Sequence, residues 1–238
     1  KLAKKLKVIS KWGTGIDSID KSFALSRGIK VYNVKNAFTD EVAAYAISLL
    51  LHQTRELNKA NINSTKTWTK VTGESLVSKK AGIVGYGRIG KKIYKYLRSF
   101  GCEVFINDIK KNYRTKKNYL TFNKLLEKCE YIFFSVDLNK STYKMLNSVH
   151  EKFIKKRPII INISRGKVIE ENFLIKILKK KIVRKVALDV FFYEPLSREN
   201  KLFKFKENFY SAHNAYNTFE SIKRTNDEVV KNLIKVLR

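Results

Sequence analysis

Five short apolar runs, AGIVG (81–85), CEVFIND (102–108), YIFFSV (131–136), PIIINIS (158–164) and KVALDV (185–190), recur along the chain with segments of helical period between them. No other feature narrows the fold as much. A strand that is apolar at every position must be covered on both faces, and helices between successive parallel strands supply that cover. The spacing therefore predicts an α/β fold of the Rossmann type, a doubly wound parallel sheet built from repeated βα units. Ile89, Ile93, Leu97 and Phe100 mark one face of the first such helix, and Thr121 stands as the N-cap of the next, TFNKLLEKCE. STYKMLNSVHEKF and EENFLIKILKKK are expected to follow as helices.

Two further helices frame this core. Residues 40–57, DEVAAYAISLLLHQTREL, are apolar around most of the circumference, so this helix should be buried between lobes or subunits. Residues 217–238 open with Asn217 and Glu220 as a capping box and carry Ile222, Val229, Val230, Leu233 and Leu237 on one stripe. Ahead of the first, KVISKWGTGIDSI and GIKVYNV read as strands around a Gly-rich turn. The expected division is a partial second lobe over 1–39, the sheet domain over 40–214, and a helix over 215–238 that returns to the smaller, discontinuous α/β lobe. That lobe is thin for an independent domain, and the chain opens at Lys1 with Met145 as its only methionine. Its front portion is expected to be missing.

Composition excludes several classes. The longest apolar run, Val42–Leu51 apart from Ser48, is too short to cross a bilayer. Cys102 and Cys129 are the only cysteines, so neither a disulfide framework nor a CxxC metal site is on offer. A cytoplasmic protein with no membrane partner and no metal is expected. The 50 Lys and Arg against 21 Asp and Glu, a net charge of +29, are scattered in doublets and triplets at the ends of apolar segments. That pattern reads as solvated lysine with loose, salt-sensitive adhesion to polyanions, not as a specific nucleic-acid surface.

GIVGYGRIG (82–90) holds a GxGxxG spacing at Gly85, Gly87 and Gly90, after a strand and at the start of a helix. In that setting the first glycine permits a tight turn, the second lets a pyrophosphate approach the backbone, and the third lets helix and strand pack closely. The helix N-terminus, with Arg88 and Ile89 inside the motif, then faces the phosphates. Asp108 closes the next strand, 18 residues beyond Gly90, where a carboxylate accepts hydrogen bonds from an adenosine ribose and repels a 2′-phosphate. The expected cofactor is NAD rather than NADP, with Lys110, Lys111 and Arg114 weighing the other way. Ser135, Ile163, Arg165, Asp189, His213 and Ala215 are also expected to touch the cofactor.

Ligands of open parallel sheets lie beyond the carboxyl ends of the strands. Arg165 follows PIIINIS, Glu194 follows KVALDV, and His213 follows NFYSA, so three chemically capable groups converge on one edge. Each also has a plainer reading: Arg165 as a strand-end cap, Glu194 before Pro195 as a surface turn, His213 as a structural histidine. His52 and His150 lie within helical patterns, and Trp12 and Trp68 are expected to pack.

In WGTGIDSID, RGIKVYNV, GESLVSKKAGIVGYGRIG, INISRGKVIEENFLIKIL, ALDVFFYEPL and SAHNAYNT the chain resembles the D-isomer-specific 2-hydroxyacid dehydrogenases, the family of phosphoglycerate dehydrogenase and glyoxylate/hydroxypyruvate reductase. The resemblance implies NAD(P)-dependent interconversion of a small 2-keto acid and its D-2-hydroxy acid, usually by a homodimer. It places the catalytic residues at Arg165, Glu194 and His213. Arg165 would grip the substrate carboxylate and carbonyl, His213 would give the proton, and Glu194 would hold the ring. Asp189 would contact the nicotinamide amide, and the backbone amides around Thr14 and Gly15 would hold the substrate carboxylate. Three positions depart from the pattern: Ser135 and Asp137 stand where the family reads His and Pro, and Ala44 stands at a Glu position. These departures leave a second class open, an NAD-binding interaction or regulatory protein of the same fold, against which the intact trio argues.

Overall fold

The computed structural model describes residues 3–35 and 37–237. In chain order the elements are β1 (Val8–Lys11), α1 (Lys21–Ser26), β2 (Lys30–Asn33), α2 (Thr39–Thr54), two single turns α3 (Leu57–Ala60) and α4 (Ile62–Thr65), β3 (Lys80–Val84), α5 (Arg88–Ser99), β4 (Glu103–Asn107) and α6 (Phe122–Lys128). They continue as β5 (Tyr131–Phe134), β6 (Ile159–Asn162), α7 (Glu171–Lys179), β7 (Lys185–Leu188), β8 (Phe209–Tyr210) and α8 (Phe219–Leu237). The chain divides into two compact units, Lys1–Glu41 with Tyr216–Arg238, and Val42–Ala215.

In the larger unit every strand is parallel to its neighbours, in the order β4-β3-β5-β6-β7-β8. Beyond β4, Tyr119 makes a single parallel bridge to Ile106, a third Rossmann strand reduced to one contact. The reason for the arrangement lies in the side chains: Ile83, Ile106, Ile132, Phe133, Phe134, Ile160, Ile161 and Val186 are all buried, which a sheet with a wet face would not permit. Strand order reverses at β3, which has β4 on one side and β5 on the other. The crevice of a doubly wound sheet opens at such a reversal, beyond the carboxyl ends of β3 and β5.

Three local expectations are corrected. STYKMLNSVHEKF is not an α-helix: Asn139 folds back on Ser141 and Thr142, Lys144 takes φ 49°, Leu146 bridges to Ile169, and only Ser148–Phe153 coils, as a 3-10 turn. Side chains that hydrogen-bond their own backbone compete with the helix there. Thr121 stands at the N-cap of α6 but makes no side-chain cap hydrogen bond. At α8 a reciprocal box joins Thr218 and Ser221, whose amides each donate to the other's hydroxyl, one residue beyond the expected start. The buried positions of α8 are Ser221 and Thr225, while Val230 and Leu237 of the expected stripe are exposed.

In the smaller unit β1 and β2 pair in parallel. Helix α8 is tied to this ribbon by Ser10 Oγ, which donates to Val229 O at 3.1 Å, and by Trp12 Nε1, which donates to Asn226 Oδ1 at 2.8 Å. Trp12 packs on Phe38 and Tyr216 as expected, whereas Trp68 is 89% exposed. Among the described residues no helix is long and apolar enough to cross a membrane, and no group of His, Cys, Asp or Glu could hold a metal ion.

Candidate active site

The turn after β3 is shaped by what a side chain would strike. Gly85 takes φ +95°, and a Cβ there would meet Ser135 O at 2.7 Å; a Cβ on Gly90 would lie 2.0 Å from Gly85 O. Neither position accepts a larger residue without moving backbone. Gly87 differs: a Cβ would meet nothing within 4 Å, so this face of the turn is open to a ligand. Gly87 is also the N-cap of the 12-residue helix α5 and supplies no side-chain cap, so the positive end of the helix lies beside this open face. Arg88 is exposed at the first helical position, and Ile89 is half-buried behind it. Asp108 stands at the end of β4 with Oδ2 accepting from Tyr86 N at 2.7 Å and Oδ1 from Lys110 N at 2.9 Å. An open glycine, a helix N-terminus and an oriented carboxylate fit the pyrophosphate and ribose of a dinucleotide.

Arg165, Glu194 and His213 come from the segments after β6, β7 and β8. Asn162, buried at the end of β6, accepts from Ser164 N at 3.0 Å and Ser164 Oγ at 2.8 Å and donates to Arg165 O at 3.0 Å, which folds the turn that presents Arg165. Glu194 is anchored by Phe191 N, which donates to its Oε1 at 2.9 Å. Its other oxygen lies 2.9 Å from His213 Nδ1. Burial pushes the Glu194 carboxyl up, but the hydrogen bonds from His213 and Phe191 N, with the charges of His213 and Arg165, outweigh it and hold the group below its usual value. An ionised carboxylate only accepts, so Nδ1 carries the hydrogen and Nε2 is left at the opposite end of the ring.

His213 itself sits at φ 51°, a left-handed conformation that needs support. Asp189 supplies it. Its side chain is 1% exposed, and its carboxylate accepts from Ser211 Oγ at 2.7 Å, Asn214 N at 2.7 Å and Ala215 N at 3.0 Å, while His213 N donates to Asp189 O at 2.8 Å. The carboxylate expected to face a nicotinamide amide also holds the turn that carries His213, with one hydrogen bond on Oδ2 and two on Oδ1. Ile163 and Ala215 are buried, and Ser135 is half-buried beside Gly85.

In the smaller unit, Gly13 O accepts from Val34 N at 3.1 Å and Thr14 O from Asn33 Nδ2 at 2.6 Å. A trans peptide points its C=O and N–H in opposite directions, so the amides of Thr14 and Gly15 face away from the end of β2.

Residues 47–215 match the family model for the NAD-binding domain of the D-isomer specific 2-hydroxyacid dehydrogenases. The chain belongs to that family. This dehydrogenase is 35% identical over 248 residues to a glyoxylate reductase of Thermofilum pendens, across 99% of this chain and 73% of the relative. A solved glyoxylate reductase from Paecilomyes thermophila aligns with a TM-score of 0.86 at 28% identity, over 97% of this chain and 72% of that one. An NADPH-dependent glyoxylate/hydroxypyruvate reductase from Sinorhizobium meliloti, solved with NADP and malonate, gives a TM-score of 0.87 at 28% identity, over 97% and 74%. Membership makes the chain an oxidoreductase of 2-hydroxy acids that carries the family's NAD-binding domain. Sequence reasoning passed over Asn162, Ser164 and Ser211 in the dehydrogenase; the one available signal was a polar residue closing an otherwise apolar strand, Asn162 in PIIIN.

Proposed function

We propose that this chain reduces a small 2-keto acid to the D-2-hydroxy acid, with NADH as electron donor and glyoxylate the first substrate to try, as the names of its relatives direct. The observation that carries the reading is the 2.9 Å contact of His213 Nδ1 with a Glu194 carboxyl held ionised, beside the Arg165 turn. Bound NADH supplies a hydride to the keto carbon. Everything else falls to the protein. Protonated His213 gives its Nε2 proton to the carbonyl oxygen as negative charge develops there, and Glu194 keeps the ring aimed and balances its charge. Arg165 holds carboxylate and carbonyl in one plane, which a lysine's point charge would not do. We assign Asp189 to the nicotinamide amide and to holding the His213 turn.

NADH is the preferred cofactor in this reading because Asp108 is oriented to accept from ribose hydroxyls and would repel a 2′-phosphate. Oxidation of NADH by the purified chain with glyoxylate, hydroxypyruvate, pyruvate and 3-phosphohydroxypyruvate is the test. Turnover with at least one acid is expected, with NADPH a poorer donor. Binding of NADH without turnover of any of the four would favour the regulatory reading.

A further inference from the structure

One peptide unit links three strand ends. The C=O of Gly85 accepts from Ser135 Oγ at 2.8 Å, and the N–H of the same unit, on Tyr86, donates to Asp108 Oδ2 at 2.7 Å. Because a planar trans peptide aims these two groups in opposite directions, the unit is held from both sides, by the end of β5 and by the end of β4. Asp108 is held in turn: its other oxygen accepts from Lys110 N at 2.9 Å, so each oxygen is tied by one backbone amide and retains acceptor capacity.

The turn has no room to escape Ser135. The space beside Gly85 where a Cβ would sit is filled by Ser135 O at 2.7 Å and Val136 Cγ1 at 2.8 Å, and the hydroxyl lies 3.1 Å from the position of a Cβ on Gly90. The same hydroxyl is 3.3 Å from Val84 O, and Ser135 N donates to Val84 O at 2.9 Å. Serine is short enough to enter this gap and still reach a carbonyl.

We propose that Ser135 is a positioning residue that selects the cofactor: through the Gly85–Tyr86 peptide it fixes the Asp108 carboxylate in the orientation that accepts ribose hydroxyls and keeps it from turning aside for a 2′-phosphate. This rests on the dinucleotide-binding reading above. Beyond its expected contact with the cofactor, Ser135 acts one peptide and one carboxylate away. Loss of the hydroxyl removes the hydrogen bond that orients the Gly85 carbonyl, so the Tyr86 N–H of the same peptide is aimed less firmly at Asp108 and one of its two tethers weakens.

Equilibrium binding of NADH and NADPH, read from the fluorescence of the reduced cofactor, distinguishes the outcomes. Ser135→Ala is expected to weaken NADH about tenfold, the scale of one hydrogen bond at a constrained site, and to change NADPH by less than about twofold. Ser135→Thr, which keeps the hydroxyl, should retain the wild-type preference. In an Asp108→Ala background, adding Ser135→Ala should leave the NADH-to-NADPH ratio where it was, because the relay then ends on nothing. Equal weakening of both cofactors by Ser135→Ala, or an effect that persists without Asp108, would overturn the proposal and leave Ser135 a packing residue. Wild-type protein that binds NADH with a ratio indifferent to Ser135 sinks this inference alone; wild-type protein that binds neither cofactor sinks it together with the function proposed above.

Discussion

His213→Ala is expected to lower turnover of the 2-keto acid by about two to four orders of magnitude while NADH affinity stays within about twofold. The expectation follows from how the turn is built. Asp189 and Ser211 hold residues 211–215 through backbone amides and a hydroxyl, none of them on the imidazole. Removing the ring therefore deletes the proton donor and leaves Glu194 anchored by Phe191 N. The left-handed φ of 51° costs alanine more than histidine, so His213→Asn, which tolerates that backbone, separates chemistry from folding. Both variants should lose turnover alike, and only the alanine should lose melting temperature. A parallel loss of turnover and cofactor affinity in both would mean that His213 packs the site and does not act in it.

Gly166→Ala should be the most damaging single methyl in the sheet domain. Its Cβ would fall 1.8 Å from Phe191 C, 2.0 Å from Phe191 O and 2.4 Å from Phe192 N. All three are backbone atoms, so no side chain can rotate to relieve the contact. Overpacking of this kind costs about 3 kcal/mol or more, which for a chain of this size lowers the melting temperature by roughly 6–12 °C. The damage reaches the chemistry as well. Phe191 N–H is what holds Glu194 Oε1, and Glu194 holds His213, so a displaced Phe191 should cost at least about tenfold in turnover of whatever protein still folds. Gly87→Ala is the control, since its Cβ meets nothing within 4 Å. It should melt like the wild type and lose dinucleotide affinity instead. A Gly166→Ala protein with unchanged melting temperature and unchanged turnover would show that the Arg165 and Glu194 turns do not lean on each other.

The sheet was legible because its cause is local. Runs such as YIFF (131–134) and III (159–161) are apolar at every position and short, and each lies in a strand with both faces covered. The glycine turn was legible for the same reason: Gly85 and Gly90 sit where a side chain would collide with neighbouring backbone, and spacing alone reports that. That Glu194 and His213 share one sheet edge follows from their places after successive strands, a consequence of parallel topology; that Glu194 holds the ring was implied only by the family resemblance. What stayed hidden depends on a polar side chain choosing a backbone partner far along the chain. Asp189 is committed to amides about 25 residues away, Ser135 to a carbonyl 50 residues back, and Asn139 to its own neighbours in place of a helix. Helical period in STYKMLNSVHEKF was real, and local hydrogen bonding overrode it. Trp68 was misread because an aromatic residue carries no mark of which surface it will meet.

In the proposed reaction this chain's own residues deliver a proton to the oxygen of a 2-keto acid as its carbon is reduced by the dinucleotide. Turnover of glyoxylate with NADH carrying deuterium at the transferable C4 position, followed by mass spectrometry of the hydroxy acid, tests it most directly. One deuterium is expected at C2 of the product formed by the wild type, with the rate of its formation lower by about two to four orders of magnitude in His213→Ala. NADH that binds while no hydroxy acid acquires the label would contradict it.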